Sequence, residues 1–240
     1  MTAAGSPNFE TDASASDATS AAGHRRRSPL ALLLVAVVAI VAVGVIAFSV
    51  GRLSTLGDPT PTSDSAEAGF ARDMQTHHNQ GVELSFIVRD LTDDDAVRLL
   101  AYDIATTQSA QSGMMQGWLN VWKLPAHGTD PEMTWMMQPT LKGDGHNHGS
   151  GESAHKPGEP MPGLATPEQI TELKGLSGVA AERMFLELMI AHHQGAIEMG
   201  EAVLDRSTNS TVRTFANGVV KSQQSEIDLM NSMLEERPAP

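Results

Sequence analysis

Two pairs of adjacent histidines are the residues of this 240-residue chain best suited to chemistry, because imidazole is the commonest metal ligand in proteins. A methionine precedes each pair by about one helical turn. The two sets are Met74, His77 and His78, and Met189, His192 and His193. On a helix, residues three or four apart share a face, so a methionine and a histidine of one set can chelate one ion. Thioether and imidazole ligands without thiolate favour copper, in particular Cu(I).

The two sets belong to a longer correspondence between residues that lie 115 positions apart. Phe70 matches Phe185 at this offset, and the same register holds without a gap over 70–119 and 185–234. A match of this length predicts two copies of one unit, each a helical hairpin whose leading helix carries the histidine pair. Because an isolated amphipathic hairpin cannot bury its apolar face, the two copies are expected to pack together as a single four-helix bundle.

Helical periodicity places both histidine pairs on the inward faces of their helices. On the trailing helix of the second copy, Glu226 also points inward and is a further candidate metal ligand, and its counterpart in the first copy is Gln111. Buried polar groups destabilise a core unless they bond one another or a ligand. Two interpretations remain open: the histidines bind metal, or they bond inward glutamines and Glu226 while the methionines fill the core. Adjacent histidines diverge by about 100° around a helix, which argues against one centre made of all four.

The same residues argue against several kinds of active site. A di-iron site of the ferritin type needs carboxylates on all four helices, and here only Glu226 is inward. The chain has no cysteine, which excludes thiol catalysis and thiolate metal sites. No set of nucleophile and base is evident, so we expect no enzymatic activity.

A membrane anchor is predicted in front of the bundle. Residues 29–51 are almost entirely apolar and long enough to cross a bilayer. The segment 1–28 is expected to be a disordered tail, and its arginines at 25–27 predict that the tail is cytoplasmic and the chain after the helix extracytoplasmic. A short linker, 52–65, precedes the bundle domain at 66–237.

A long loop rich in Gly, Pro, His and Met interrupts the bundle at 125–165. The leading helix of the second hairpin is expected to begin near residue 167, where Thr166-Pro167-Glu168-Gln169 forms a capping signal. The loop is most simply a solvated spacer, although some of its side chains could collect metal from solution. These are His146, His148, His155, Met133, Met136 and Met137.

The segments F-L-E-L-M-I-A-H-H-Q-G-A-I-E-M (185–199) and M-Q-T-H-H-N-Q-G-V-E-L (74–84) carry a family resemblance. They resemble the bacterial family called domain of unknown function 305, over about 70–236. That resemblance implies a ferritin-like four-helix bundle, and a link of some relatives to periplasmic copper binding and tolerance. Transferred to this chain, the copper ligands would be Met74, His77, His78, Met189, His192 and His193.

Together these observations predict an all-α protein, a four-helix bundle of two repeated hairpins preceded by one transmembrane helix. Its predicted function is to bind a metal ion, copper, for storage, buffering or delivery. The alternative is a metal-free structural or protein-interaction module at the cell envelope. The predicted partners are the lipid bilayer, through 29–51, and the metal ion, and a homo-oligomer is left open. The net charge of −13 argues against nucleic acid.

Overall fold

The computed structural model describes residues 29–54, 58–143 and 156–238. It divides into two compact units, Met1–Gly57 and Asp58–Pro240. The predicted cytoplasmic tail, part of the linker (55–57) and three loop histidines, His146, His148 and His155, lie outside the described residues. Throughout the described ranges the regular structure is helical, which confirms the predicted all-α class.

The first unit contains helix α1, Pro29–Ser54. Its stretch from Leu32 to Arg52 is long and apolar enough to cross a membrane, and none of that stretch is buried inside the protein. The helix continues three residues beyond the predicted end of the anchor at 51 and so includes the start of the predicted linker.

Four long helices form the second unit as two antiparallel hairpins. They are α2 (Ala66–Leu91), α3 (Asp95–Trp122), α5 (Gly178–Leu204) and α6 (Ser210–Glu235). Side-chain oxygens fix the starts of three of them: Ser65 caps α2, Asp94 caps α3 and Asn209 caps α6. Each cap accepts a hydrogen bond from a backbone N–H that has no partner within the helix, which is why these short polar residues end the turns.

The capping signal predicts that the leading helix of the second hairpin begins near residue 167, and this prediction is wrong. Thr166 and Gln169 do form a complete capping box, but the helix they start is the short α4, Pro167–Lys174. Gly175 ends α4, and α5 begins only at Gly178, whose φ of 56° is accessible to glycine at little cost. The signal therefore identified a helix start correctly but assigned it to the wrong helix.

The loop at 125–165 is not simply a solvated spacer. It contains a 3₁₀ helix, Thr134–Met137, and buries Met133, Trp135 and Met161 completely or nearly so. The indole of Trp135 packs edge-on against Phe70 with ring centroids 5.8 Å apart. Burial of these apolar side chains offsets the entropy lost on ordering the loop.

The core consists of two apolar clusters, one towards each end of the bundle. Cluster A takes side chains from the first half of α2, the second half of α3, the second half of α5 and the first half of α6. Cluster B takes them from the opposite halves of the same helices, together with Leu173 of α4 and Ala165 of the loop. Thus α2 and α6 run in one direction and α3 and α5 in the other, and a polar layer separates the two clusters.

Candidate metal centre

Four fully buried histidines form the polar layer between the clusters, and we call them the His layer. They are His77 and His78 on α2, and His192 and His193 on α5. The rings of His77 and His192 lie nearly in contact, with centroids 3.9 Å apart, whereas the rings within each adjacent pair are about 6 Å apart, at 6.2 and 6.0 Å. Neighbouring rings therefore diverge as predicted: His77 meets His192 across the two helices, and each of these rings lies about 6 Å from its neighbour in sequence.

The close approach of α2 and α5 brings the rings together. A Cβ atom added at Gly81 would lie 2.2 Å from Oε1 of Gln108 and 2.9 Å from Cε1 of His192. Such distances are far below van der Waals contact, so with a larger residue at this position the side chains of Gln108 and His192 would have to shift from where they now lie against α2.

Hydrogen bonds hold three of the four rings through the same nitrogen, Nε2. Nε2 of His77 lies 3.0 Å from the carbonyl oxygen of Pro162, and Nε2 of His192 lies 2.8 Å from that of His77. Nε2 of His193 lies 2.5 Å from a carboxylate oxygen of Glu226. Because a carbonyl or carboxylate can only accept, Nε2 carries the proton and donates in each bond. Each neutral ring therefore keeps its lone pair on Nδ1.

Those Nδ1 atoms are buried and have no hydrogen-bond partner. The same holds for both ring nitrogens of His78, although the Gln111 amide lies beside that ring. Gln108, Gln111, Ser112 and Gln223 also have buried polar atoms without a partner. Of these, Gln111 lies beside His78, and Gln108 and His192 both lie against Gly81. A layer with so many unpaired donors and acceptors is costly for the fold by itself.

Burial keeps three of the rings neutral, those of His77, His78 and His192. Desolvation lowers the pKa of His77 to about 4 and that of His78 to about 3, and the neighbouring rings lower the pKa of His78 further. The pKa of His192 is also well below its ordinary value, first because of desolvation and then because of the other histidines. Neutral imidazole is the form that binds metal, so these rings can bind without first losing a proton.

The structure brings some of the predicted ligands together and separates others. Glu226 joins the layer through His193, and its side chain is 29% exposed, so it links the layer to solvent. Met74 and Met189 are fully buried but lie in different clusters, Met74 in A and Met189 in B. Of the loop methionines, Met133 is buried in cluster A, so it does not face solvent as a collector of metal would.

Among the described residues, no three His, Cys, Asp or Glu side chains converge closely enough to form a ready metal cage. The carboxylates of a di-iron site are likewise not gathered there. What the described part of the chain offers is two close pairs of side chains, the adjacent rings of His77 and His192 and the hydrogen-bonded His193 and Glu226.

Sequence reasoning missed the loop residues that complete the layer. Besides the Pro162 carbonyl, Gln80 exchanges two hydrogen bonds with the backbone of Ala165. We call residues 162–165 the loop strip. Gly163, with a φ of 74°, lets the loop strip lie against the backbone of α5 at Ala191. The only signal in the sequence is Pro162-Gly163, a turn dipeptide whose position against α5 no local pattern reveals.

Comparison with known proteins assigns the family. A model described as domain of unknown function DUF305 matches residues 67–234, nearly all of the chain from α2 to α6. The chain belongs to this family. A crystal structure of a DUF305 protein from Streptomyces coelicolor, named as secreted, is 47% identical to this chain, with a TM-score of 0.63 over 73% of this chain and 96% of that one. A DUF305 fragment from Deinococcus radiodurans is 30% identical, with a TM-score of 0.56 over 74% and 99%.

Two further similarities are more distant. CopM in its Cu(I)-bound form is 17% identical, with a TM-score of 0.52 over 72% of this chain and 96% of that one, and this likeness concerns the fold alone. An uncharacterised protein of Acanthamoeba polyphaga mimivirus, L153, is 38% identical over 56 residues, which are 23% of this chain. The match covers 37% of that relative's length, little more than a third.

Proposed function

We propose that this DUF305 protein binds copper through the His layer, at the outer face of a membrane to which α1 anchors it, and stores, buffers or delivers the ion. The observation that carries the proposal is the arrangement of His77, His192 and His193. Each donates Nε2–H to a carbonyl or carboxylate and leaves Nδ1 free inside the protein. A histidine that binds a metal through one nitrogen almost always donates the other N–H in this way.

The donor chemistry supports copper over harder ions. Imidazole nitrogen suits copper and zinc, whereas magnesium and calcium require several oxygen ligands. Met74, in cluster A, and Met189, in cluster B, each lie about one helical turn before a histidine pair, so each places a thioether next to the layer. A thioether beside imidazole favours copper. The Cu(I)- and Cu(II)-bound forms of CopM, which shares the fold, agree with this choice of metal.

The location rests on α1 and on a relative. The apolar stretch of α1 can cross a bilayer. Arginines at 25–27 favour a cytoplasmic N-terminus, which puts the bundle outside. The Streptomyces coelicolor relative, named as secreted, supports the same compartment.

A titration of the full-length protein in detergent tests the proposal. Cu(I), held anaerobically, Cu(II) and Zn(II) are added to the wild type and to a variant with His77, His78, His192 and His193 replaced by Gln. A ligand that binds only the folded state raises the melting temperature, so copper is expected to raise that of the wild type and not that of the variant. His127, which is exposed in the loop, provides the control, because His127→Ala should respond like the wild type.

Equal responses of the wild type and the quadruple variant, or no response of the wild type to any ion, would contradict copper binding by the layer. A second candidate function would then remain, a metal-free module at the envelope. The bonds of the rings to Pro162, to the His77 carbonyl and to Glu226 favour it, because they tie α2, α5, α6 and the loop together without any ion.

A further inference from the structure

The His layer is built from equivalent positions of the two hairpins, but the halves differ in charge. His78 lies beside Gln111 of α3, and His193 bonds Glu226 of α6. These two partners are 115 residues apart and so occupy the same position in their hairpins. Three further side chains of α3 and α6 with buried polar atoms that have no partner, Gln108, Ser112 and Gln223, are neutral.

The positive charge that a bound ion can bring into the buried layer depends on this difference between Gln111 and Glu226. A cation bound by neutral imidazoles brings its whole charge into a medium that stabilises charge poorly. A carboxylate beside it cancels one unit of that charge. With Glu226 ionised, a monovalent ion leaves the layer neutral, whereas a divalent ion or a second monovalent ion leaves one positive charge buried.

We infer that the residues at positions 111 and 226 set how many positive charges the His layer can hold. With Glu226 and Gln111 at these positions, the layer is a site for a single monovalent soft cation, in the half that contains His193. This inference rests on the copper-binding function proposed above and specifies the ion's charge and number. Glu226 acts through His193: it accepts the Nε2 proton, fixes the lone pair on Nδ1 and supplies the compensating charge. It is a positioning residue, and its partial exposure puts it on the solvent side of the layer.

Exchange of Glu and Gln at the two positions tests the inference directly. Four full-length proteins in detergent are compared: the wild type, Glu226→Gln, Gln111→Glu and the double exchange. In all four, the five histidines outside the bundle helices, His24, His127, His146, His148 and His155, are Ala, so that only the histidines of the layer are counted. Cu(I) is added anaerobically against a competing chelator, and tight sites per chain and affinity are measured, with Zn(II) as the divalent probe.

The inference predicts that tight Cu(I) sites follow the number of carboxylates. The wild type and the double exchange should each bind one ion, Gln111→Glu two, and Glu226→Gln should bind Cu(I) at least tenfold more weakly than the wild type. Gln111→Glu should also bind Zn(II) at least tenfold more tightly than the wild type. Matched controls change charge on the exposed face of α6: Glu235→Gln and Gln224→Glu should both behave like the wild type.

The outcomes separate this inference from the proposed function. If the wild type binds Cu(I) but Glu226→Gln binds it equally well, or Gln111→Glu gains neither a second Cu(I) nor affinity for Zn(II), the inference is wrong and copper binding stands. If none of the four proteins binds Cu(I), both fall. Far-UV circular dichroism and melting temperatures without metal show whether each variant is folded, and the double exchange retains the composition of the layer if a single variant is not.

Discussion

At the scale of single residues, the histidines are set apart by what each nitrogen does. In His77, His192 and His193 one nitrogen is bonded and the other is not, so the rings have one tautomer and one direction for a ligand. Residue types and spacing alone were enough to find these rings and to place them inside. The tautomers were not predictable, because they depend on a loop carbonyl and on the neighbouring helix.

The buried rings should make the fold sensitive to acid. The pKa values of His77 and His78 in the folded protein, about 4 and about 3, lie below the value of about 6.5 expected on unfolding. Between these values the unfolded chain binds more protons, so stability falls as the pH drops from about 6.5. At pH 5 each ring should cost on the order of 2 kcal/mol relative to pH 8.

Urea unfolding at pH 8 and pH 5 measures this effect. We expect His78→Gln to reduce the loss of stability between the two pH values by about 2 kcal/mol, since glutamine does not titrate. His127→Gln, on the exposed loop, is the control and should leave the loss unchanged. An unchanged pH dependence in His78→Gln would show that this ring is not held neutral by burial.

Asp73 acts in the opposite sense: burial raises its pKa to about 6, so its contribution to stability falls as the pH rises from 3.8 through 6.

At the scale of elements, the helices were predictable where local chemistry decides and not where tertiary packing does. The start of α4 is such a case, because the capping signal at Thr166 and Gln169 does begin a helix there. The division between α4 and α5 was missed: Leu173 of α4 and the first half of α5 pack into the same cluster B, and only the short segment from Gly175 to Ser177 separates the two helices. The burial of Trp135 and Met161 was missed for a related reason, since a loop shows no periodicity.

The loop strip on α5 should be intolerant of a single added methyl group. A Cβ atom at Gly195 would lie 1.9 Å from the carbonyl oxygen of Pro162, the oxygen that His77 bonds. Because backbone atoms cannot move aside without shifting the loop, Gly195→Ala should destabilise the fold by about 2 to 3 kcal/mol.

Chemical denaturation of two matched variants measures this effect. Gly113→Ala is the partner, because Gly113 is also helical but has nothing within 4 Å of an added Cβ, and it should stabilise the fold by about 1 kcal/mol. Similar effects of the two substitutions would contradict the close packing of the loop on α5.

At the scale of the whole molecule, the sequence predicted the plan of two hairpins around a buried histidine layer, since amphipathic periodicity and the 115-residue offset both point to it. It did not predict which rings would meet. His77 and His192 do so because the two leading helices, α2 and α5, pack directly on each other at the layer. The separation of Met74 from Met189 follows from the antiparallel course of the same two helices.

The two units predict a topology that can be tested in cells. If α1 anchors the chain with its N-terminus inside, protease added to intact cells stripped of their wall should remove the unit Asp58–Pro240 from the membrane fraction. A tag placed before residue 25 should stay protected until the membrane is opened. The reverse pattern of protection would contradict the proposed orientation.

The central claim is that the Nδ1 lone pairs of the His layer bind the metal, and nitrogen NMR observes these atoms directly. Full-length protein with ¹⁵N-labelled histidine is compared before and after addition of diamagnetic Cu(I). We predict that His77, His192 and His193 carry the proton on Nε2 in the metal-free protein, and that Nδ1 signals of the layer, including that of His193, shift on binding while His127 is unaffected. If the Nδ1 signals of all four buried rings stay in place while copper binds elsewhere, the claim is wrong.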